Sequence, residues 1–186
     1  MHRRIVAAAI IAGLGSGAAQ AETLQPETNP QIDYRGFAAL TGELEGYRSE
    51  RLVTLERFHE LAQQPDAIIL DTRSAAAFEM GHIAGAVNLP FSDFTDAKLV
   101  KVIGDKTRPI LIYCNNNFSN NVRPIALKRT PLALNIPTFI NLYGYGYQNI
   151  YELNDIVDIT DPAVKWQGLD FSKILVRPQR AMRDPR

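Results

Sequence analysis

Short, continuous apolar runs recur along the chain from position 52, and mixed polar and apolar stretches separate them. Runs of this length are typical of strands that are buried on both faces of a parallel sheet. The pattern predicts strands at residues 52–53, 67–70, 86–89, 110–113 and 138–142.

The stretches between these runs carry helix-capping residues. Thr54, Ser74 and Thr95 are each suited to begin a helix, because a hydroxyl oxygen accepts a hydrogen bond from a free N–H of the first turn. Gly81 and Gly104 follow the second and third of these helices and are expected to end them. Two more helices are predicted at residues 121–127 and 147–157.

Alternation of strands and helices at this spacing predicts an α/β fold, with a parallel sheet of about five strands and helices on both faces. Sheets of this kind bind ligands beyond the C-terminal ends of their strands. The only cysteine of the chain, Cys114, directly follows the predicted strand at residues 110–113. We therefore expect Cys114 to lie where this fold class places its ligand.

The N-terminus has the features of a secretory signal peptide. Two arginines precede an uncharged apolar stretch at residues 5–17, and Ala-Gln-Ala at residues 19–21 forms a cleavage site. An uncut membrane anchor is the alternative, but the apolar stretch is short for a bilayer span. We expect residues 1–21 to be removed and the mature protein to be periplasmic, with no membrane association after cleavage.

Composition divides the mature chain into three segments: an N-terminal extension at 22–51, a domain at 52–157 and a C-terminal tail at 158–186. The chain has 20 Lys and Arg residues and 20 Asp and Glu residues, so its formal net charge is +0. Because there is no basic excess, we expect neither nucleic acid nor an anionic membrane surface as a partner.

A single cysteine cannot form a disulfide within its own chain, although the periplasm favours disulfides. Cys114 is therefore either a buried, inert residue or a reactive thiol. The residues after it are almost all polar, and asparagine tolerates unusual backbone conformations. A tight loop of this kind could turn its N–H groups, and the N-terminus of the next helix, toward the sulfur. Such an environment stabilises an anion and would lower the pKa of the thiol.

We therefore predict that the loop after Cys114 binds the substrate. An ordinary surface loop without a ligand is the alternative. The residues of the predicted loop are Asn115, Asn116, Asn117, Phe118, Ser119 and Asn120.

The sequence resembles the rhodanese family over residues 52–157. The resemblance rests on a D-x-R motif at residues 71–73, Phe78, the motif G-H-I-x-G-A-x-N-x-P at residues 81–90, and the strand that leads into Cys114. It implies the rhodanese fold and a sulfurtransferase activity. In that activity the Cys114 thiolate takes sulfur from a small donor such as thiosulfate and passes it to cyanide or a thiol acceptor. No cofactor is implied.

The loop departs from the pattern C-x-x-G-x-R of many active family members. Asn117 stands at the glycine position and Ser119 at the arginine position, while Arg123 lies further along the chain. The resemblance therefore leaves a second hypothesis open, a catalytically silent module that binds a partner protein or a small sulfur species. A thiol redox role for Cys114 is a third. The related cell-cycle phosphatases need a loop arginine that is missing here.

Other chemically capable residues are interpreted as structural. His82 lies in a predicted helix-to-strand connection, and Asp71 and Arg73 are placed to pair with each other or with the loop. No metal site is predicted, because His59 and His82 are the only histidines after the signal peptide and neither has a cluster of ligands at metal-binding spacing.

Overall fold

The computed structural model describes residues 31–168. Residues 1–30 and 169–186 lie outside the described residues. They comprise the predicted signal peptide, the start of the predicted N-terminal extension and most of the predicted tail. None of the helices in the described part of the chain combines the length and the apolar character that a membrane crossing needs.

A five-stranded, wholly parallel sheet forms the centre of the structure, in the order β1-β6-β5-β2-β4. This confirms the predicted fold class. The strands of this sheet are β1 (Leu52–Val53), β2 (Ile68–Asp71), β4 (Ala86–Asn88), β5 (Ile110–Tyr113) and β6 (Ile150–Leu153). A separate antiparallel pair is formed by β3 (Gly81–Ile83) and β7 (Trp166–Gly168).

Three of the α-helices begin where the capping residues predict. The hydroxyl oxygens of Thr54, Ser74 and Thr95 each accept a hydrogen bond from the backbone N–H three residues later. The helices are α1 (Tyr34–Ser49), α2 (Leu55–Ala62), α3 (Ala75–Met80), α4 (Asp96–Val102) and α5 (Asn135–Gly144).

Successive side chains of the central strands point to opposite faces, and each face has its own apolar core. On one face, Leu111 and Tyr113 of β5 pack with Phe58 of α2. On the other face, Ile110 and Ile112 pack with residues of α4 and α5. The sheet is therefore covered by helices on both faces, as the sequence predicts.

Three predicted elements are wrong. Residues 138–142 are helical and belong to α5, and residues 147–157 contain β6 instead of a helix. The apolar run at 138–142 fits a buried helix as well as a strand, since periodicity does not separate the two in a short segment. Residues 121–127 form no helix. Pro124 explains this, because it lacks an N–H and restricts the residue before it.

Gly81 ends α3, as predicted, but not by adopting a left-handed conformation. Its φ of 163° is extended backbone. A side chain there is excluded by Trp166, whose indole atoms lie 2.6 Å from the position that a Cβ would take. Trp166 lies in the predicted tail, so the first part of that tail is ordered by pairing with β3.

Candidate active site at Cys114

Cys114 extends strand β5 by one residue, with φ −144° and ψ −176°. It continues the alternation of the strand, so its side chain lies on the same face of the sheet as that of Ile112. The residue is 1% exposed. The sequence leaves open whether Cys114 is a buried, inert residue or a reactive thiol. The structure shows that it is buried. Whether it can also react depends on the groups around the sulfur.

Backbone amides from the cysteine loop and from the start of α5 contact the thiol. The N–H groups of Asn116, Leu134 and Asn135 hydrogen-bond to it and favour its thiolate form. The prediction of backbone donors and a helix N-terminus is therefore confirmed. The helix is α5, however, and not the predicted helix at residues 121–127.

The predicted lowering of the thiol pKa is wrong. Burial is the largest effect and raises the pKa of Cys114, and the charge of Glu152 adds to the rise. The amide hydrogen bonds act in the opposite direction but do not offset the loss of water. In the arrangement described by the structure, Cys114 is therefore a protonated thiol at neutral pH.

Asn117 holds the three segments that form the site. Its side-chain oxygen accepts hydrogen bonds from the backbone N–H of Cys114 at 2.9 Å and from the side chain of Asn135 at 3.0 Å. Its amide nitrogen donates to the carbonyl oxygens of Leu153 at 2.7 Å and Asp155 at 3.3 Å. The end of β5, the start of α5 and the end of β6 are thus joined through one buried carboxamide.

Asn115 and Asn116 bind the next part of the chain. The side chain of Asn115 donates to the carbonyl oxygen of Ala126 at 3.0 Å. The side chain of Asn116 donates to the carbonyl oxygen of Lys128 at 2.8 Å and accepts from its N–H at 3.0 Å. These bonds fix residues 126–128 beside the cysteine loop.

The remaining residues of the predicted binding loop pack within the fold. Phe118 is buried, with its ring against Tyr113 and Trp166. Ser119 and Asn120 hydrogen-bond to residues 157–159. Contact between residues 115–120 and a substrate stays a prediction.

The D-x-R motif forms a buried network behind the cysteine loop. Arg73 pairs with Asp71 at 2.5 Å and also reaches the side-chain oxygen of Asn115 at 3.3 Å. The Tyr113 hydroxyl donates to Asp71 at 2.6 Å and accepts from the N–H of Ile83. Burial lowers the pKa of Arg73, but its bonds to Asp71 outweigh burial and raise the pKa overall. Asp71 and Arg73 therefore pair with each other, as predicted.

The other expected structural residue, His82, contacts neighbours of its own segment. Its Nδ1 lies 2.8 Å from the carbonyl oxygen of Phe78, and the two rings stack at 3.8 Å. Within residues 31–168, no three or more His, Cys, Asp and Glu side chains are grouped to hold a metal ion.

Sequence reasoning missed two groups at the site. The first is the start of α5, for which Pro137 was an available signal, since proline is tolerated in the first turn of a helix. The second is the ion pair of Arg48 in α1 with Glu152 in β6, at 2.6 Å. No local pattern in the sequence points to a pair so far apart in the chain.

Comparisons with known proteins agree with this fold. The sequence matches the family model of the Rhodanese-like domain over residues 54–155. It is 23% identical over 133 residues to the tRNA uridine(34) hydroxylase of Legionella pneumophila (strain Corby), a match that covers 67% of this chain and 46% of the hydroxylase. It is 23% identical over 107 residues to an "Adenylyltransferase and sulfurtransferase" of Drosophila persimilis, covering 53% of this chain and 24% of that protein.

The chain thus spans less than half the length of either of these curated relatives. Among solved structures, it is similar to the solution structure of the Rhodanese-like domain from Anabaena sp., with 20% identity and a TM-score of 0.41. That match covers 73% of this chain and 89% of the other.

Proposed function

The chain belongs to the rhodanese-like domain family, and from that membership we propose that it is a sulfurtransferase that carries sulfane sulfur as a persulfide on Cys114. The observation that carries the proposal is the convergence of the Asn116, Leu134 and Asn135 amides on the thiol at the end of β5. Backbone donors placed in this way stabilise a negatively charged sulfur without a cationic side chain. The Drosophila persimilis relative is named as an adenylyltransferase and sulfurtransferase.

The proposed reaction has two displacement steps. The Cys114 thiol first loses its proton to water, and the thiolate attacks the outer sulfur of thiosulfate. A sulfur–sulfur bond forms at Cys114, the sulfur–sulfur bond of thiosulfate breaks, and its electron pair leaves with sulfite. An acceptor thiolate then attacks the outer sulfur of the persulfide, which forms an acceptor persulfide and releases the Cys114 thiolate. No net oxidant or reductant is needed.

The amide donors serve both steps in this scheme. The negative charge lies on the cysteine sulfur before the first step and on the outer persulfide sulfur after it. Hydrogen bonds from three backbone N–H groups favour the thiolate, and in this proposal the same groups stabilise the persulfide anion. Because backbone amides are held by the fold, they need little reorganisation as the charge moves.

The site of action is proposed from the N-terminal sequence. The signal peptide at residues 1–21 would export the protein, so the reaction would take place in the periplasm. Fractionation of cells that express the full chain tests this, with the mature N-terminus expected at Glu22. A cytoplasmic protein that retains Met1 would contradict it.

Intact-protein mass spectrometry after incubation with thiosulfate or a polysulfide tests the activity. We expect a gain of one sulfur atom that is lost on addition of a thiol acceptor, with the acceptor persulfide recovered. The Cys114→Ser variant should show no gain. If no donor modifies the folded protein, the sulfurtransferase proposal fails, and the alternative of a catalytically silent binding module is supported.

A further inference from the structure

Residues 121–134 connect the cysteine loop to α5 and contain one short 3-10 helix, Thr130–Leu132, but no α-helix or strand; we refer to this segment as the strap. Two tethers hold it, the side chains of Asn115 and Asn116, which bond to the backbone of Ala126 and Lys128. At its end, the N–H of Leu134 contacts the Cys114 thiol. The strap is therefore fixed to the cysteine loop near its middle and forms part of the cover over the sulfur at its end.

The strap is basic. The sequence contains no acidic residue between Asp105 and Glu152, whereas the strap alone contributes Arg123, Lys128 and Arg129. All three side chains are exposed. The ion pairs in the described part of the chain involve other residues. The strap therefore presents positive charge that no acid in its neighbourhood along the chain neutralises.

Lys128 has the most direct connection to the thiol. The same residue, Asn116, turns its backbone N–H to the Cys114 sulfur and binds the backbone of Lys128 with both ends of its carboxamide. Arg129 follows immediately. These two hydrogen bonds fix the backbone of residue 128, and with it residue 129, relative to the cysteine loop. Among the described contacts, Arg123 has no such tether.

We infer that Lys128 and Arg129 recognise the anionic sulfur donor, in place of the cation that the cysteine loop itself lacks. This inference rests on the proposed function and assigns the residues that bind its anionic donor. Positive side chains at the edge of a closed site attract and hold an anion before it reaches the sulfur. Because the N–H of Leu134 at the end of the strap contacts the Cys114 thiol, a donor bound to the strap lies on a segment that reaches the sulfur.

A donor-selectivity experiment tests the inference. The catalytic efficiency with thiosulfate is divided by that with an uncharged dialkyl trisulfide, for the wild type and for Lys128→Ala/Arg129→Ala. We expect the ratio to fall about tenfold, mainly through a higher KM for thiosulfate, because the uncharged trisulfide gains nothing from the two cations. Lys101→Ala, which removes an exposed lysine from the last turn of α4, is the matched control and should leave the ratio unchanged.

A binding measurement separates this inference from the proposed function. Calorimetric titration of Cys114→Ser with thiosulfate at low salt should give a Kd that rises about tenfold on adding the Lys128→Ala/Arg129→Ala changes. An unchanged Kd, or an unchanged selectivity ratio, overturns the inference even where persulfide forms on Cys114. If no persulfide forms but thiosulfate binding depends on the two cations, the anion site stands and the transferase proposal fails.

Discussion

The side-chain oxygen of Asn117 accepts a hydrogen bond from the backbone N–H of Cys114 at 2.9 Å, while its nitrogen donates to the end of β6. Asn117→Ala removes these bonds and leaves buried polar groups without partners, at a cost of about 1–3 kcal/mol each. We expect the free energy of unfolding to fall by about 3 kcal/mol, measured by urea denaturation.

The matched control is Asn121→Ala, which removes an exposed carboxamide with a single long contact, 3.4 Å from the N–H of Leu127. It should change the free energy of unfolding by about 0.5 kcal/mol or less. Equal effects of the two substitutions would show that Asn117 does not hold the site together.

The ion pair between Arg73 and Asp71 is almost fully withdrawn from water, with side chains 3% and 0% exposed. Arg73→Ala leaves a buried carboxylate without its cation, so we expect the free energy of unfolding to fall by about 3–5 kcal/mol. The exposed pair of Arg57 and Glu60 supplies the comparison, and Arg57→Ala should cost about 0.5 kcal/mol at most. A loss of similar size for both arginines would contradict the structural role assigned to the D-x-R motif.

The parts of the fold that the sequence predicts correctly depend on local signals. The continuous apolar run at residues 110–113 is typical of a strand that is buried on both faces of a sheet. It is observed as β5, with all four residues buried. The hydroxyl caps at Thr54, Ser74 and Thr95 act through backbone groups three residues away, and all are observed. Signals of this range are readable without knowing the tertiary structure.

The errors arise where distant segments decide the outcome. Thr138, Phe139 and Leu142 are buried in α5, but their spacing does not distinguish a helix from a strand. The predicted direction of the Cys114 pKa shift is wrong because burial of the thiol raises its pKa by more than the amides of Asn116, Leu134 and Asn135 lower it. A short run of polar residues after a cysteine gives no information about which segment will cover the sulfur.

Burial raises the pKa of the Cys114 thiol above its ordinary value. The folded protein therefore keeps the proton over a pH range in which the unfolded chain loses it. Below the ordinary thiol pKa the resulting stabilisation is complete, and it is lost as pH rises from there through the raised folded value. We expect the difference in free energy of unfolding between the wild type and Cys114→Ala to shrink above about pH 8.5.

Urea denaturation at a series of pH values measures this difference directly. Tyr113, whose pKa burial also raises, titrates in both proteins and therefore cancels. A difference that stays constant into the alkaline range, or grows there, would contradict the raised pKa of Cys114.

The last prediction concerns Glu152, which shares a face of the sheet with Cys114 and is paired with Arg48 at 2.6 Å. The negative charge of Glu152 raises the pKa of Cys114, and Arg48 partly offsets that charge. Arg48→Ala should therefore raise the pKa of Cys114 further, and Glu152→Gln should lower it. The measurement is the pH dependence of the iodoacetamide alkylation rate, whose midpoint should shift in opposite directions in the two variants.

The midpoint of the double variant should lie below that of Arg48→Ala, because neither charge of the pair is left to act on the thiol. Lys98→Ala breaks an exposed pair with Asp93 and is expected to leave the midpoint unchanged. If Arg48→Ala also leaves it unchanged, helix α1 has no electrostatic influence on the cysteine.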